Sequence, residues 1–293
     1  MISASPLIEP VVAPAEDQWI RQSCGFYACP VCRRSLEPSQ DGLFCPACPR
    51  TYPILNGIPD FIVVNLEESR NRDLRIVGKK DSHPLLNFAA SAYETFLYPA
   101  VCNLYGGWRS TSLKQLAHDI ADILGSRDGV ILDAACGPGT YGRRIASASR
   151  TVLGIDICMS MMRRGVHYVE KAHIPNVHFA RATVEALPFP AGLFDAAINA
   201  GSLNHFSDTV LALTEINRTM KAGAPLAVMC FAAGTSGLMK YPSIRSRAEK
   251  GGGHIDSVDV LARYVAEAGF EDFRPRAYGS ILVFSARKKQ AAN

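Results

Sequence analysis

The stretch LDAACGPGTYGRR, Leu132 to Arg144, decides the fold. It carries Gly137-x-Gly139-x-x-Gly142, the spacing of a turn that leads from a buried strand into a helix while its backbone approaches an adenosine-bearing ligand. The glycines do not by themselves select that ligand. Asp133 begins to, because it lies inside the strand end, four residues before Gly137, where a dinucleotide-binding strand is normally apolar throughout.

Beyond the turn the pattern alternates. GVILDAA (129–135) is an apolar run that predicts a buried strand, TYGRRIASAS (140–149) starts a helix, and TVLGID (151–156) is a second strand ending in Asp156. CMSMMRRGVHYVEKA (158–172) reads as a helix, NVHFARA (176–182) and FDAAINAG (194–201) as strands three and four, and SDTVLALTEINRTMKAG (207–223) as a helix stopped by Gly223. APLAVMCFA (224–232) is the fifth strand, SVDVLARYVAEAGF (257–270) a further helix, and FRPRAYG (273–279) with SILVFSAR (280–287) a closing strand pair. Such alternation predicts an α/β fold, a doubly wound sheet with helices on both faces.

The chain has 293 residues, 48% hydrophobic and 20% charged, enough for one sizeable core and a small accessory unit. A net charge of +4 gives no strong electrostatic case for nucleic acid or a membrane surface. The first residues, MISASPLIEPVVAPAEDQW, bring Glu9, Glu16 and Asp17 and no basic region before the apolar ones, so they read as a flexible Pro/Ala tail and not as a signal peptide. No apolar run approaches the about 18 residues of a spanning helix, so a cytoplasmic protein without membrane insertion is expected.

Four of the nine cysteines form two tight pairs, Cys29 with Cys32 in CPVC and Cys45 with Cys48 in CPAC, separated by 12 residues. Each C-x2-C places two thiolates on one knuckle turn, and two knuckles complete a tetrahedral zinc site; redox-active pairs or a site that has lost its metal are the alternatives. RTYPILNGIPDFIVV (50–64) reads as strand, Asn-Gly turn and strand, closing a ribbon whose miniature core includes Phe44 and Tyr52. Between Cys24 and Val64, Arg33, Arg34 and Arg50 balance Glu37, Asp41 and Asp60, whereas a nucleic-acid finger is normally basic. The expected organisation is a tail (1–23), a zinc ribbon (24–66), a linker and helical substrate cap (67–128) and the sheet domain (129–293). The cap segment holds Phe88, Tyr93, Phe96, Tyr98, Tyr105 and Trp108 before an amphipathic helix ending near Leu124; at such spacings aromatics pack helices, and as a group they could roof a pocket.

The arrangement D-x-x-x-G-x-G from Asp133 to Gly139 resembles motif I of class I S-adenosylmethionine-dependent methyltransferases. GIDICMSMM resembles the family's GID-x-S-x-x-M segment with Cys158 in place of Ser, VEALPFPAGLFD its EALPF-x-x-x-x-FD motif, and MKAGAPLAV its L-K-P-G-G-x-L-x-V turn. VAEAGF resembles its last helix end. The nearest flavour is the ubiquinone/menaquinone-type methyltransferase group, and the CPxC, CPxC and YPI-NGIPDF series resembles the small zinc domain that precedes certain methyltransferases or activates them as a partner subunit. The resemblance implies a Rossmann-like methyltransferase sheet, a zinc-holding ribbon, and S-adenosyl-L-methionine bound by Asp133, Ala135, Gly137, Gly139, Asp156, Ile157, Met161, Thr183, Val184 and Asn199. Asp133 would help hold the cationic methionine end, Asp156 the ribose hydroxyls, and Met161 would lie against adenine. Thr183 stands where many members have the Asp that binds the adenine amino group. In each case the bland role remains open: Asp133 can cap the turn through backbone N–H groups, and Gly137 and Gly139 can serve only a sharp bend.

His205 and Tyr93 are the candidate catalytic side chains. His205 follows Asn204 after the fourth strand, at the edge that faces the transferred methyl; it can act as a general base oriented by Asn204, or pack against adenosine or the aromatic roof. The expected acceptor is a small aromatic or quinone-like molecule methylated on carbon, oxygen or nitrogen. The fourth strand lacks the Asn-Pro-Pro-aromatic run of adenine amino-methyltransferases and the Pro-Cys nucleophile of cytosine C5 chemistry. The insertion GTSGLMKYPSIRSRAEKGGGH (234–254) has the glycines of a moving lid. A ribosomal RNA guanine methyltransferase is the alternative, since that group also carries a four-cysteine ribbon and Lys240, Arg245, Arg247 and Lys250 could touch phosphate. A cofactor-binding protein without turnover is the second.

Overall fold

The computed structural model describes residues 24–62, 96, 100, 112–126, 128–233, 238–250 and 253–290. The seven-stranded sheet follows from the alternating pattern. Its strands are β6 (Gly129–Ala134), β7 (Arg150–Asp156), β8 (Val177–Arg181), β9 (Ala196–Ala200), β10 (Pro225–Phe231), β11 (Phe270–Tyr278) and β12 (Ile281–Lys288). Their order is β11-β12-β10-β9-β6-β7-β8. The strands β10, β9, β6, β7 and β8 run parallel, and β12 and β11 close one edge antiparallel. The chain winds outward from β6 to β8, then returns to β9 on the other side of β6. A crevice therefore opens at the carboxyl ends of β6 and β9, where ligands bind in open sheets of this kind.

Helices cover the sheet: α1 (Leu113–Leu124), α2 (Gly142–Ile145), α3 (Met159–Lys171), α4 (Thr209–Thr219), α5 (Pro242–Lys250) and α6 (Val258–Glu267). Ser112 caps α1 at Gln115 N–H, and Gly125, at φ 64°, ends it, as the amphipathic pattern leading to Leu124 expects. Two helices are shorter than the sequence suggests. The helix after the glycine turn ends at Ile145, because Ala146 is extended and Ser147 bridges Arg150 to start β7. Helix α4 stops at Thr219, four residues before Gly223, because the buried Met220 pairs with Phe194 beside β9. Of the lid insertion, a short 3-10 turn (Leu238–Lys240) and α5 are described, and Met239 N–H donates to Ser280 Oγ at 2.8 Å. Of the expected cap, the closing helix α1 is described, while Phe88, Tyr93, Tyr98, Tyr105 and Trp108 lie outside the described residues; Phe96 is described and exposed.

The N-terminal ribbon is built of β1 (Glu37–Ser39), β2 (Gly42–Cys45) and β3 (Arg50–Tyr52) in one small sheet, with β4 (Ile54–Leu55) and β5 (Ile58–Pro59) as a hairpin. Asn56 and Gly57 both have positive φ, 53° and 75°, the two-residue turn that Asn-Gly favours. The ribbon's core is not its own. Tyr52 and Phe61 lie 5.1 Å apart, Phe61 and Tyr27 5.2 Å, Tyr27 and Phe189 5.7 Å, and Phe189 and Phe194 4.9 Å, ring centroid to ring centroid. This aromatic seam runs from the ribbon into the sheet domain, while Phe44 is only partly buried. Backbone bonds reinforce the seam: Ala28 N–H donates to Pro188 O and Phe61 N–H to Arg181 O, and Asp60 bridges Arg181 at the end of β8.

Candidate active site

The crevice is floored by the glycine turn. Ala135, Gly137 and Gly139 all take positive φ, 55°, 55° and 70°, so the chain coils left-handed where β6 ends. The glycines differ in what they face. A Cβ on Gly137 would meet nothing within 4 Å, so this backbone faces open space. A Cβ on Gly139 would sit 3.0 Å from the Phe179 ring, and one on Gly142 2.8 Å from Asp133 Oδ2. Gly139 and Gly142 thus serve the packing of the turn.

Asp133 is buried, and its Oδ2 accepts the Gly142 N–H at 3.1 Å, which ties the strand end to the first residue of α2. Asp133 therefore caps the turn through a backbone N–H group. Burial pushes its carboxyl up to about 7; the Gly142 N–H pulls the other way and the charge of Asp156 adds to the rise. Asp156, at the end of β7, accepts Gly137 N–H on Oδ2 and Cys158 N–H on Oδ1, each at 2.8 Å. Burial raises its pKa while those N–H groups lower it. Each carboxylate oxygen retains a second lone-pair direction, so the group can hold a diol while it joins the two loops that flank it.

On the β8 side, Ile157 and Thr183 are partly buried and Val184 is buried. Thr183 Oγ1 donates to Glu185 Oε2, and Ser207 Oγ donates to Glu185 Oε1 at 3.2 Å. The acid missing at position 183 is thus present two residues on, at Glu185. It lies inside the EALPF motif, but sequence alone gave it no role. Met161 is partly buried in the first turn of α3. Asn199 does not line an open surface: it is fully buried, with Nδ2 donating to Ala134 O at 2.7 Å and Oδ1 lacking a hydrogen-bond partner. Its place in the middle strands draws it into closing the β6/β9 gap, as does Ser202 Oγ, which donates to Ala135 O.

His205 sits in a 3-10 turn (Leu203–His205) after β9 and is exposed. Asn204 does not orient the imidazole. Its side chain points inward, donating to Phe231 O and His254 O and accepting from Phe231 N–H, and so staples the turn to β10 and to the segment 253–256. Along that segment a Cβ on Gly253 would lie 3.3 Å from His205 Cε1. A second imidazole, His254, stands beside Thr209 Oγ1 at 3.1 Å and Asp256 Oδ2 at 3.4 Å. No motif flags it, because its partners are far off in sequence. Tyr93 lies outside the described residues.

In the ribbon, Cys29, Cys32, Cys45 and Cys48 come together with their sulfurs all within 4.8 Å of one another. The separations from Cys29 to Cys48, Cys32 to Cys45 and Cys45 to Cys48 are 3.3 to 3.4 Å. Four thiolates around zinc, with bonds of about 2.3 Å, stand about 3.8 Å apart, so the donor set and its spacing fit a thiophilic ion. Arg33, at φ 65°, shapes the first knuckle, with Cys29 N–H bonded to Arg34 O and Arg33 N–H to Cys29 O. Among the described residues all eight cysteines are free thiols.

Residues 131–223 match the family model described as a methyltransferase domain. A ubiquinone/menaquinone biosynthesis C-methyltransferase of Syntrophotalea carbinolica is 31% identical over 171 residues, 58% of this chain and 68% of the relative. An uncharacterized chloroplastic methyltransferase of Arabidopsis thaliana is 23% identical over 89% of this chain and 78% of the relative. Among solved structures, phosphoethanolamine N-methyltransferase 2 of Haemonchus contortus, in complex with S-adenosyl-L-methionine, superposes with TM-score 0.57 at 17% identity, covering 70% of this chain and 57% of that one. The [4+2]-cyclase SpnF superposes with TM-score 0.53 at 20% identity, covering 60% of this chain and 81% of that one. These two likenesses establish the fold.

Proposed function

The chain belongs to the class I S-adenosylmethionine-dependent methyltransferases, and from that premise we propose that it methylates a small aromatic or quinone-like acceptor. The observation that carries the acceptor class is the 31% identity, over two thirds of its length, to a quinone-biosynthesis C-methyltransferase. S-adenosylmethionine supplies an electrophilic methyl on a sulfonium; the chain's task is to hold donor and acceptor in line and keep water out. In this reading Gly137 and its neighbours admit the donor along the open backbone, Asp156 receives the ribose hydroxyls, and Asp133 braces the loop beneath the methionine end. Val184 packs near adenine, with Glu185 beside Thr183 supplying the carboxylate. One zinc ion in the four-cysteine cluster serves structure, since four thiolates leave no open position for chemistry.

His205 is the side chain we place at the transferred methyl, where its imidazole can take a proton from a phenol or ring carbon. His205→Ala should lower turnover by about 100-fold and leave cofactor affinity nearly unchanged; turnover near wild type removes the histidine from the chemistry and leaves positioning alone. The ribbon argues against RNA as acceptor. Of its three basic residues, Arg33 is already committed to Leu187 O at 2.9 Å and Glu215 Oε2 at 3.0 Å. The experiment that tests the acceptor class follows labelled methyl from S-adenosylmethionine into a cell extract. Label in a small organic fraction is the expected result; label in RNA overturns it.

A further inference from the structure

The ribbon meets the end of β8 and reaches two loops there, the one after β7 through Arg181 and the one after β8 directly. Arg181, the last residue of β8, is buried between them. Its Nη1 donates to Asp60 Oδ2 of the ribbon at 3.0 Å, and its Nε donates to the carbonyl of Ile157 at 3.0 Å. Ile157 is the residue between Asp156 and Cys158, whose N–H is held by Asp156 Oδ1. Asp60 is itself fixed, because Oδ1 accepts Ile62 N–H at 3.0 Å. The second loop, which carries Thr183 to Phe189, is gripped by Arg33 Nη1 on Leu187 O and by Ala28 N–H on Pro188 O. Glu215 backs this grip: it accepts Leu187 N–H and pairs with both Arg33 and Arg218.

We propose that Arg181, locked by Asp60, is a positioning residue for the adenosine site, and that the ribbon is through it an integral wall of that site. A planar guanidinium with two fixed N–H directions can join a carboxylate to a carbonyl in a single geometry. The loop that bears Asp156 is thereby referred to the ribbon as well as to the sheet. The pair spans 121 residues of sequence, so only the docked ribbon supplies it. The proposal rests on the reading of Asp156 as the ribose acceptor.

The test uses the full chain and S-adenosylhomocysteine as probe, with calorimetry for affinity and hydrogen exchange for local order. Arg181→Met should weaken binding about tenfold and Asp60→Asn about threefold. The double variant should bind no worse than Arg181→Met, since Asp60 acts only through Arg181. Exchange should quicken in peptides covering 155–160 and stay unchanged in β12. A folded Arg181→Met chain with wild-type affinity overturns the proposal, and so does faster exchange spread evenly through β12, which marks a merely structural role. If Arg181→Met does not fold, the isosteric Asp60→Asn carries the same comparison, and wild-type affinity with wild-type exchange there is equally fatal. Asp156→Ala run alongside separates the two claims: if it alone loses affinity, positioning fails and the cofactor reading stands; if it too binds as wild type, the reading itself fails.

Discussion

In the sheet domain, Ile131, Leu132, Ala197, Ile198, Leu226 and Val228 are fully buried between the long strands and the helices that flank them. In the ribbon the longest strand has four residues, and its most enclosed side chains are Cys29, Cys45, Leu43 and Tyr52. Two of those four belong to the cysteine cluster, and Tyr52 finds its company through Phe61 in a seam that ends on Phe189 and Phe194. The sheet domain is held chiefly by the apolar area of its long strands and helices. The ribbon depends on sulfur ligation and on its neighbour, as chains of about 40 residues generally need a staple. The difference teaches that removing a ligand should be local in one region and nearly invisible in the other.

The largest effect expected follows from that contrast. Cys45→Ser should reduce bound zinc from about one per chain to little or none and release amide protection across the ribbon, while β6, β9, β10 and β12 keep theirs. A ribbon that stays protected without metal would break the comparison. Next come the two glycines of the turn. Gly139→Ala forces a Cβ to 3.0 Å from Phe179 at φ 70° and should lower stability, whereas Gly137→Ala enters open space at φ 55° and carries only backbone strain, about 1–2 kcal/mol. Gly137→Ala should instead show its larger effect on S-adenosylhomocysteine affinity; thermal melts and titrations of both variants sharpen the distinction between packing and cradle.

A pH-dependent effect belongs to Asp133. Its carboxyl, pushed up chiefly by burial, titrates at about 7 in the folded chain against an ordinary 3.8. Between those values the native state keeps a proton that the unfolded state gives up, so this group makes stability fall as pH rises from about 4 to about 7 and adds no slope above. Asp133→Asn should remove that component, on the order of 1.4 kcal/mol per pH unit across the window. Denaturant midpoints measured at intervals from pH 4 to 8 check it, and parallel profiles for the two proteins would contradict it.

How much of this was written in the sequence depends on span. The strand order's raw material, the glycine turn, Asp156 and the two C-x2-C knuckles are local patterns, and each appears where periodicity and spacing put it. The end of α2 falls short of the periodic pattern because a tight Ser147–Arg150 turn stops it without a glycine or proline to mark it, and the end of α4 because its Phe194–Met220 pairing is tertiary. Asn204 read as an orienter of His205 from adjacency alone; which way its amide points is decided by Phe231 and His254, 27 and 50 residues on. The grip of Arg33 on Glu215 and of Asp60 on Arg181 joins oppositely charged residues with no shared motif, so composition could only count them as a neutral ribbon.

The central claim is that the crevice after β6 holds the adenosine of the methyl donor against Asp156. Calorimetric titration of S-adenosylhomocysteine into the wild-type chain and into Asp156→Ala tests it most directly. A ribose clamp to a charged acceptor is worth about 1.5–3 kcal/mol per hydrogen bond before compensation, so the variant should bind at least roughly tenfold more weakly. Equal affinity for the two proteins would contradict the account.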